Sequence, residues 1–343
     1  MPRTTLVMSY LLRGWLSVLA LAFCAGVALL PPANAAEDNN SKFSDVLGAV
    51  VSVRAEVPIT ARTADVLGTE REGSGVVIDD KGLILTIGYL ILEASRAEVT
   101  VAGGHKIPVQ ILAYDHNSGF GLLRATKPLD VKPMKLGDSA ALEESARVLI
   151  SGFGGANAVR PAIVVSRRVF AGYWEYLLDD AIFTSPPYEN FGGAALIGPE
   201  GELLGIGSLV VGDAMGSDRA VPGNMFVPID TLKPILKDML ANGRSTAPPR
   251  PWLGIYSEQH RGHVFVTRVA DTGPAARAGI RANDLILELA GKPVTTIEDF
   301  YRKLWALGKA GIDVRLTVLR GADLLDITVR SGDRYNWLRL NPM

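Results

Sequence analysis

The sequence predicts an all-β chain followed by a small mixed α/β module, and three observations carry that reading. From Val46 onward, short apolar runs alternate with turn signals at close spacing, the pattern of a β-barrel or sandwich. Residues 244–250 read Arg-Ser-Thr-Ala-Pro-Pro-Arg, a polar, proline-bearing stretch without apolar period that marks an interdomain linker. Beyond it, strand and helix periods mix over 251–331. A chain of 343 residues has room for two domains, and 48% hydrophobic with 21% charged residues is a globular composition.

The first 35 residues stand apart. Arg3 and Arg13 are their only charges, 15–30 is an apolar run of 16 residues, and Ala33-Asn34-Ala35 offers a small-x-small cleavage site. This reads as a cleavable signal peptide, because the run falls short of the roughly 20 residues that span a bilayer. No stable membrane anchor is expected after cleavage. Removing Arg3 and Arg13 leaves 33 Lys and Arg against 36 Asp and Glu, a net charge of −3 that argues against a nucleic-acid partner. The sole cysteine, Cys24, sits inside the leader behind Phe23, where a lipoprotein signal would want Gly, Ala or Ser. The processed chain then has no disulfide, thiol chemistry or cysteine metal site, which suits a bacterial periplasm.

Within 42–243, two hairpins are legible. Val76 and Ile78 alternate into the Asp79-Asp80-Lys81-Gly82 turn and return through Leu83 and Leu85; Val99 and Val101 meet Gly103-Gly104 and return through Ile107, Val109 and Ile111. Further strands are expected at 120–123, 148–152, 163–166, 195–197, 203–210 and 225–227. A helix should start at 228–230, with Leu232, Ile235, Leu236 and Leu240 on one face, and end near Gly243. After the linker come strands at 253–256, 264–266 and 286–289, a short helix at 274–278, and a terminal hairpin at 314–319 and 324–329 around Gly321. Thr295 and Glu298 form a capping box for a helix with Ile297, Phe300, Leu304 and Leu307 on one face. Residues 332–343 are a C-terminal tail.

Four stretches, in this order and spacing, carry a family resemblance: GSGVVIDDKGLILT at 73–86, MKLGDS at 134–139, GPEGELLGI at 198–206, and PAARAGI at 274–280 with NDLIL at 283–287. Together they resemble the HtrA/Deg family of periplasmic proteases. The resemblance implies a trypsin-like double β-barrel followed by a PDZ domain, itself a small α+β barrel. It also implies a Ser-His-Asp triad, and here the matching positions are changed. The family's Thr-x-x-His segment reads Thr86-Ile87-Gly88-Tyr89, and a phenol with an ordinary pKa near 10 does not take a serine proton at neutral pH. The strand that opens with the catalytic aspartate begins at Gly119. The nucleophile turn reads Tyr188-Glu189-Asn190-Phe191-Gly192-Gly193, placing the serine position on Gly192 with the fewest gaps, or on Phe191 after a shift of one. The segment from Ile182 is short, and Glu189 near the turn would oppose a developing oxyanion.

No replacement triad is evident. Asp115 and His116 read as a polar turn entering the next strand, and His105, His260 and His263 as solvated loop residues. Ser118 and Ser185 lack a histidine at a useful spacing. The same scatter offers no metal site, and no cofactor is implied.

The second domain keeps what the first has lost. In the PDZ fold a short loop of backbone N–H groups holds a terminal carboxylate, and Trp252-Leu253-Gly254-Ile255 fits the family's loop, with Phe300 and Leu304 as candidate pocket residues. Trp174, Tyr176 and Tyr188 fall in the region of the relatives' substrate pocket, either as an aromatic surface or as filling of an abandoned cleft. Phe43 lies in the segment by which relatives form trimers, so a homotrimer is a further expectation. The reading is a periplasmic pseudoprotease that binds peptides or protein C-termini as scaffold, adaptor or regulator. Its rivals are an active serine endopeptidase with a rearranged site and a holdase-type chaperone.

Overall fold

The computed structural model describes residues 43–216 and 220–340. The leader expected at 1–35 and the last three residues of the tail lie outside them. Among the described residues no helix is long and apolar enough to cross a membrane.

The first barrel closes in the order β1 (Val50–Glu56), β2 (Glu70–Val77), β3 (Leu83–Ile87), β6 (Phe120–Ala125), β5 (Lys106–Tyr114) and β4 (Arg96–Thr100). Both expected hairpins are present. Asp79 fixes the first by accepting from the Lys81 and Leu83 N–H groups, an Asx turn of the kind Asp favours. β3 is buried along its whole length because it sits between β2 and β6 with the core on one side and the second barrel's strands near the other.

The second barrel closes as β10 (Ala195–Ile197), β11 (Leu203–Val211), β12 (Gly223–Pro228), β9 (Tyr176–Ser185), β8 (Val159–Gly172) and β7 (Arg147–Ser151). Sequence patterning found only 163–166 of β8 and missed β9. These form a long hairpin with two register shifts, which break the alternation that would have betrayed it.

The segment at 229–243 is a 3-10 turn, Ile229–Thr231, and then a helix, Leu236–Asn242, capped by Gly243 in the left-handed region at φ 72°. The expected face is corrected: Leu232 and Met239 are fully buried, whereas Leu240 is exposed, because the 3-10 turn shifts the phase of the helix after it.

The third unit is a sheet in the order β13 (Ile255–His260), β14 (His263–Val269), β15 (Leu285–Leu289), β17 (Asp313–Arg320), β18 (Asp323–Arg330), with β16 (Lys292–Pro293) beside β15. The helix Ile297–Ala306 begins one residue later than the capping box implies. Thr296, not Thr295, is the cap, its hydroxyl accepting from Asp299 N–H at 3.0 Å. The buried face is accordingly Phe300, Tyr301 and Leu304, while Leu307 is exposed. Residues 332–340 fold back: Gly332 pairs with Trp252, and Arg339 N–H donates to Glu93 of the first barrel at 2.7 Å.

Candidate functional site

A 3-10 turn, Gly88–Leu90, leaves β3 and carries Tyr89. Buried Arg71 pins that turn by donating to the carbonyls of Tyr89 (2.8 Å) and Leu92 (2.9 Å). Burial lowers its guanidinium to about 10, still charged at neutral pH. The Tyr89 phenol donates to the Ser208 carbonyl at 3.1 Å, and burial pushes its pKa upward, so the hydroxyl keeps its proton. Facing it is the turn that holds Gly192, tied to β2 by Ser74 N–H donating to the Gly192 carbonyl at 2.8 Å. A Cβ on Gly192 would lie 3.0 Å from the Tyr89 hydroxyl. Phe191 lends its carbonyl to Ala194 N–H at 3.0 Å. Glu189 is exposed. Gly119 adopts φ +82°, and a Cβ there would meet the Tyr176 hydroxyl at 3.1 Å. As arranged, a protonated phenol stands opposite a glycine.

Asp115 and His116 lie in the expected polar turn before β6, with Asp115 buried and His116 half-buried. Asp115 is 1% exposed and accepts from Ser118 N–H and hydroxyl at 2.8 and 2.7 Å. His116 Nδ1 lies 3.0 Å from the Tyr114 hydroxyl, and Nε2 lies 3.1 Å from the Glu175 carbonyl and 2.9 Å from the Arg334 guanidinium. Burial first, then the Arg334 charge, holds the imidazole well below its ordinary pKa. Asp115 and His116 thus make separate bonds rather than a catalytic pair. Ser185 donates to the Pro222 carbonyl at 2.9 Å. His105, His260 and His263 are exposed, and so is Phe43 at 38%.

The three aromatics expected together are split. Trp174 stacks on Tyr176 at 5.4 Å at the tip of the β8–β9 hairpin. Tyr188 is buried in another core cluster, bonded through its main chain to Asn224 and through its hydroxyl to Gly152 N–H and the Ala158 carbonyl.

The loop before β13 has the form a carboxylate site needs. Gly254 sits at φ +79°, and the N–H groups of Leu253, Gly254 and Ile255 converge. They converge on the Glu175 side chain, at 3.0, 2.7 and 2.8 Å. Ser257 N–H donates to the Tyr173 carbonyl at 3.0 Å. On the helix side, Tyr301 donates to the Gly172 carbonyl at 2.8 Å and accepts from Glu175 N–H at 3.0 Å. Burial raises the Glu175 carboxyl to about 7, against the pull of those N–H groups and of Arg334. Trp252 is buried at 4.9 Å from Trp337, and Phe300 and Leu304 are fully buried in a core that also takes in Leu177 of β9. Sequence reasoning missed Tyr173, Glu175 and Tyr301. The one available signal was an acidic residue among aromatics in Gly172-Tyr173-Trp174-Glu175-Tyr176.

Comparison with known proteins agrees with this fold. The trypsin-like peptidase domain matches residues 73–206 and the PDZ domain residues 251–330. The periplasmic serine endoprotease DegP of Salmonella typhimurium is 26% identical over 279 residues, covering 75% of this chain and 56% of that protein. DegP of Escherichia coli K12 is 28% identical over 253 residues, 65% of this chain and 49% of that one. The chain therefore spans about half the length of these relatives. The putative serine protease HhoA of Synechocystis is 26% identical over 317 residues, 81% and 74% of the two chains. Among solved structures, the HtrA-type protease AlgW with decapeptide aligns with a TM-score of 0.51 at 20% identity, over 88% of this chain and 99% of that one. A serine endoprotease from Yersinia pestis aligns at 0.50 and 22%, over 86% and 97%. At such identities the structural likeness concerns the fold.

Proposed function

We propose a non-proteolytic role for this chain, which belongs to the HtrA/Deg family: a periplasmic pseudoprotease whose remaining activity is recognition of peptide or protein C-termini by its PDZ domain. One observation carries the reading. Where the family would place its base and nucleophile, Gly192 stands against the phenol of Tyr89, and that phenol is committed to the Ser208 carbonyl. Burial holds the phenol protonated, so a serine restored opposite it would still lack a base. The retained chemistry is that of the loop at 252–255, whose N–H groups converge on a carboxylate in this structure. The likeness to an HtrA-type protease described with a bound decapeptide supports a peptide as the ligand class.

The endopeptidase reading draws on the relatives, which are named as proteases. It requires a serine with a base in reach, and Ser118 is bonded to Asp115 while Ser185 is bonded to a carbonyl. A fluorophosphonate probe decides between them. The purified protein should show no labelled serine and no casein hydrolysis, since loss of base and nucleophile costs a factor on the order of a million. Stoichiometric labelling of any serine would overturn the proposal.

A further inference from the structure

The β8–β9 hairpin ends in a three-residue loop, Tyr173-Trp174-Glu175, closed by the Gly172 and Tyr176 pair. A loop of this length places its last residue in the left-handed region, where Gly or Asn is the default. Glu175 occupies that position at φ +57°. A glutamate is therefore held where its backbone is strained, with its carboxylate buried, and both features are unfavourable taken alone. What offsets them is the set of three N–H bonds from residues 253–255.

The rest of the tip has the pattern of an added strand. β13 is an edge strand of its sheet, bonded to β14 on one side. A ligand strand on its free side would meet the N–H groups of alternate residues, 255 and 257. Ile255 N–H meets the Glu175 carboxylate, and Ser257 N–H meets the carbonyl of Tyr173, two residues back along the hairpin. Tyr301 closes the other wall by bonding the Gly172 carbonyl and the Glu175 N–H, while Leu177 enters the PDZ core. A side-chain carboxylate and the backbone preceding it thus occupy the place that a C-terminal carboxylate and its preceding residues would take.

We propose that residues 172–175 are an internal ligand that holds the groove shut, so that a partner enters only when its own terminal carboxylate displaces Glu175 and lifts the hairpin tip. This rests on the proposed role of the PDZ groove. A tethered competitor acts at an effective concentration of millimolar order. Against a groove with micromolar intrinsic affinity, it weakens the apparent affinity of a free peptide by on the order of tenfold to a thousandfold.

The test is binding of a fluorescent decapeptide ending in an apolar residue with a free carboxylate, alongside its C-terminal amide, to the purified full-length protein and to two variants. Glu175→Gly removes the competing carboxylate at a backbone position glycine adopts freely. Glu175→Gln keeps the volume and one oxygen acceptor. The acid peptide should bind Glu175→Gly at least tenfold more tightly than wild type, with Glu175→Gln between them and the amide weak throughout. Equal affinity of wild type and Glu175→Gly for the acid peptide, with the amide still weak, would overturn the internal ligand and leave the groove reading standing. If Glu175→Gly, shown folded by circular dichroism and with the 253–255 amides newly open to hydrogen exchange, bound neither peptide, both would fall together.

Discussion

A Cβ on Gly193 would stand 1.9 Å from the Ser74 carbonyl oxygen, and its φ of +76° suits glycine alone. Gly193→Ala should therefore destabilise the protein by about 3 kcal/mol or more, whereas Gly212→Ala, with open space around its Cβ, should change little. Urea unfolding monitored by fluorescence checks both. The glycines at 192 and 193 were legible in the sequence because a tight turn needs them whatever the chemistry. Gly119, where the resemblance implies an aspartate, was legible only as a departure from that pattern. What now fills the space, the Tyr176 hydroxyl 3.1 Å from a Gly119 Cβ, depends on a residue 57 positions away with no local signal. That filling bears on repair. Tyr89→His, Gly119→Asp and Gly192→Ser together should not restore efficient casein hydrolysis, because Asp at φ +82° would have to displace the Tyr176 phenol bonded to the Ser118 carbonyl. Turnover near that of an active relative would show that the aspartate site is free after all.

The element that escaped sequence reading is the β8–β9 hairpin, and the reason is physical. Its register shifts break the period of two, and its loop places Glu where turn chemistry asks for Gly or Asn. The helix Ile297–Ala306 was legible to within one residue, a slip that exchanged Tyr301 for Leu307 on the buried face and so hid the residue that grips the hairpin. Two buried groups at the hairpin give it opposed pH responses. The Glu175 carboxyl is raised by burial to about 7, above its ordinary value. Its contribution to stability is full below about 4.3 and is lost as pH rises through 7. The His116 imidazole is lowered, so its contribution is present above about 6.5 and lost as pH falls through its depressed value. Arg334 faces both groups; Tyr301 adds to the surroundings of Glu175, and Tyr114, Tyr335, Arg250 and Asp115 to those of His116. The melting temperature of wild type minus that of Glu175→Gln should therefore rise as pH falls from 8 to 5. The same difference against His116→Gln should fall below pH 6.5. Parallel slopes in the two series would refute the assignment of opposed protons to these groups.

At the scale of the molecule, the order of barrels, linker and PDZ unit was legible because each keeps its own pattern of periods and turns. Their docking was not, since it is made by pairs far apart in sequence with no shared period. Leu177 belongs to a strand of the second barrel yet is 7% exposed within the PDZ core, beside Val169 and Ala171. The linker is docked as well: Arg250 lies over the Trp305 ring at 4.3 Å, and Ala310 N–H donates to the Pro249 carbonyl at 2.8 Å. The returning tail closes the circuit, with Tyr335 accepting from His116 N–H at 2.8 Å and Arg339 donating to the Thr60 carbonyl at 2.6 Å in the first barrel. Such shared side chains predict cooperative unfolding across what the sequence divides. Calorimetry of the full-length protein should show one transition, with calorimetric and van't Hoff enthalpies in agreement. Leu177→Ala removes a large side chain from a well-packed core, a change that costs about 2–5 kcal/mol. In a protein of this size that should lower the whole transition by on the order of 5 °C or more while keeping it single. Two wild-type peaks, only one of them moved by Leu177→Ala, would mean that the PDZ unit and the barrels melt independently and that Leu177 stabilises one side of a loose joint.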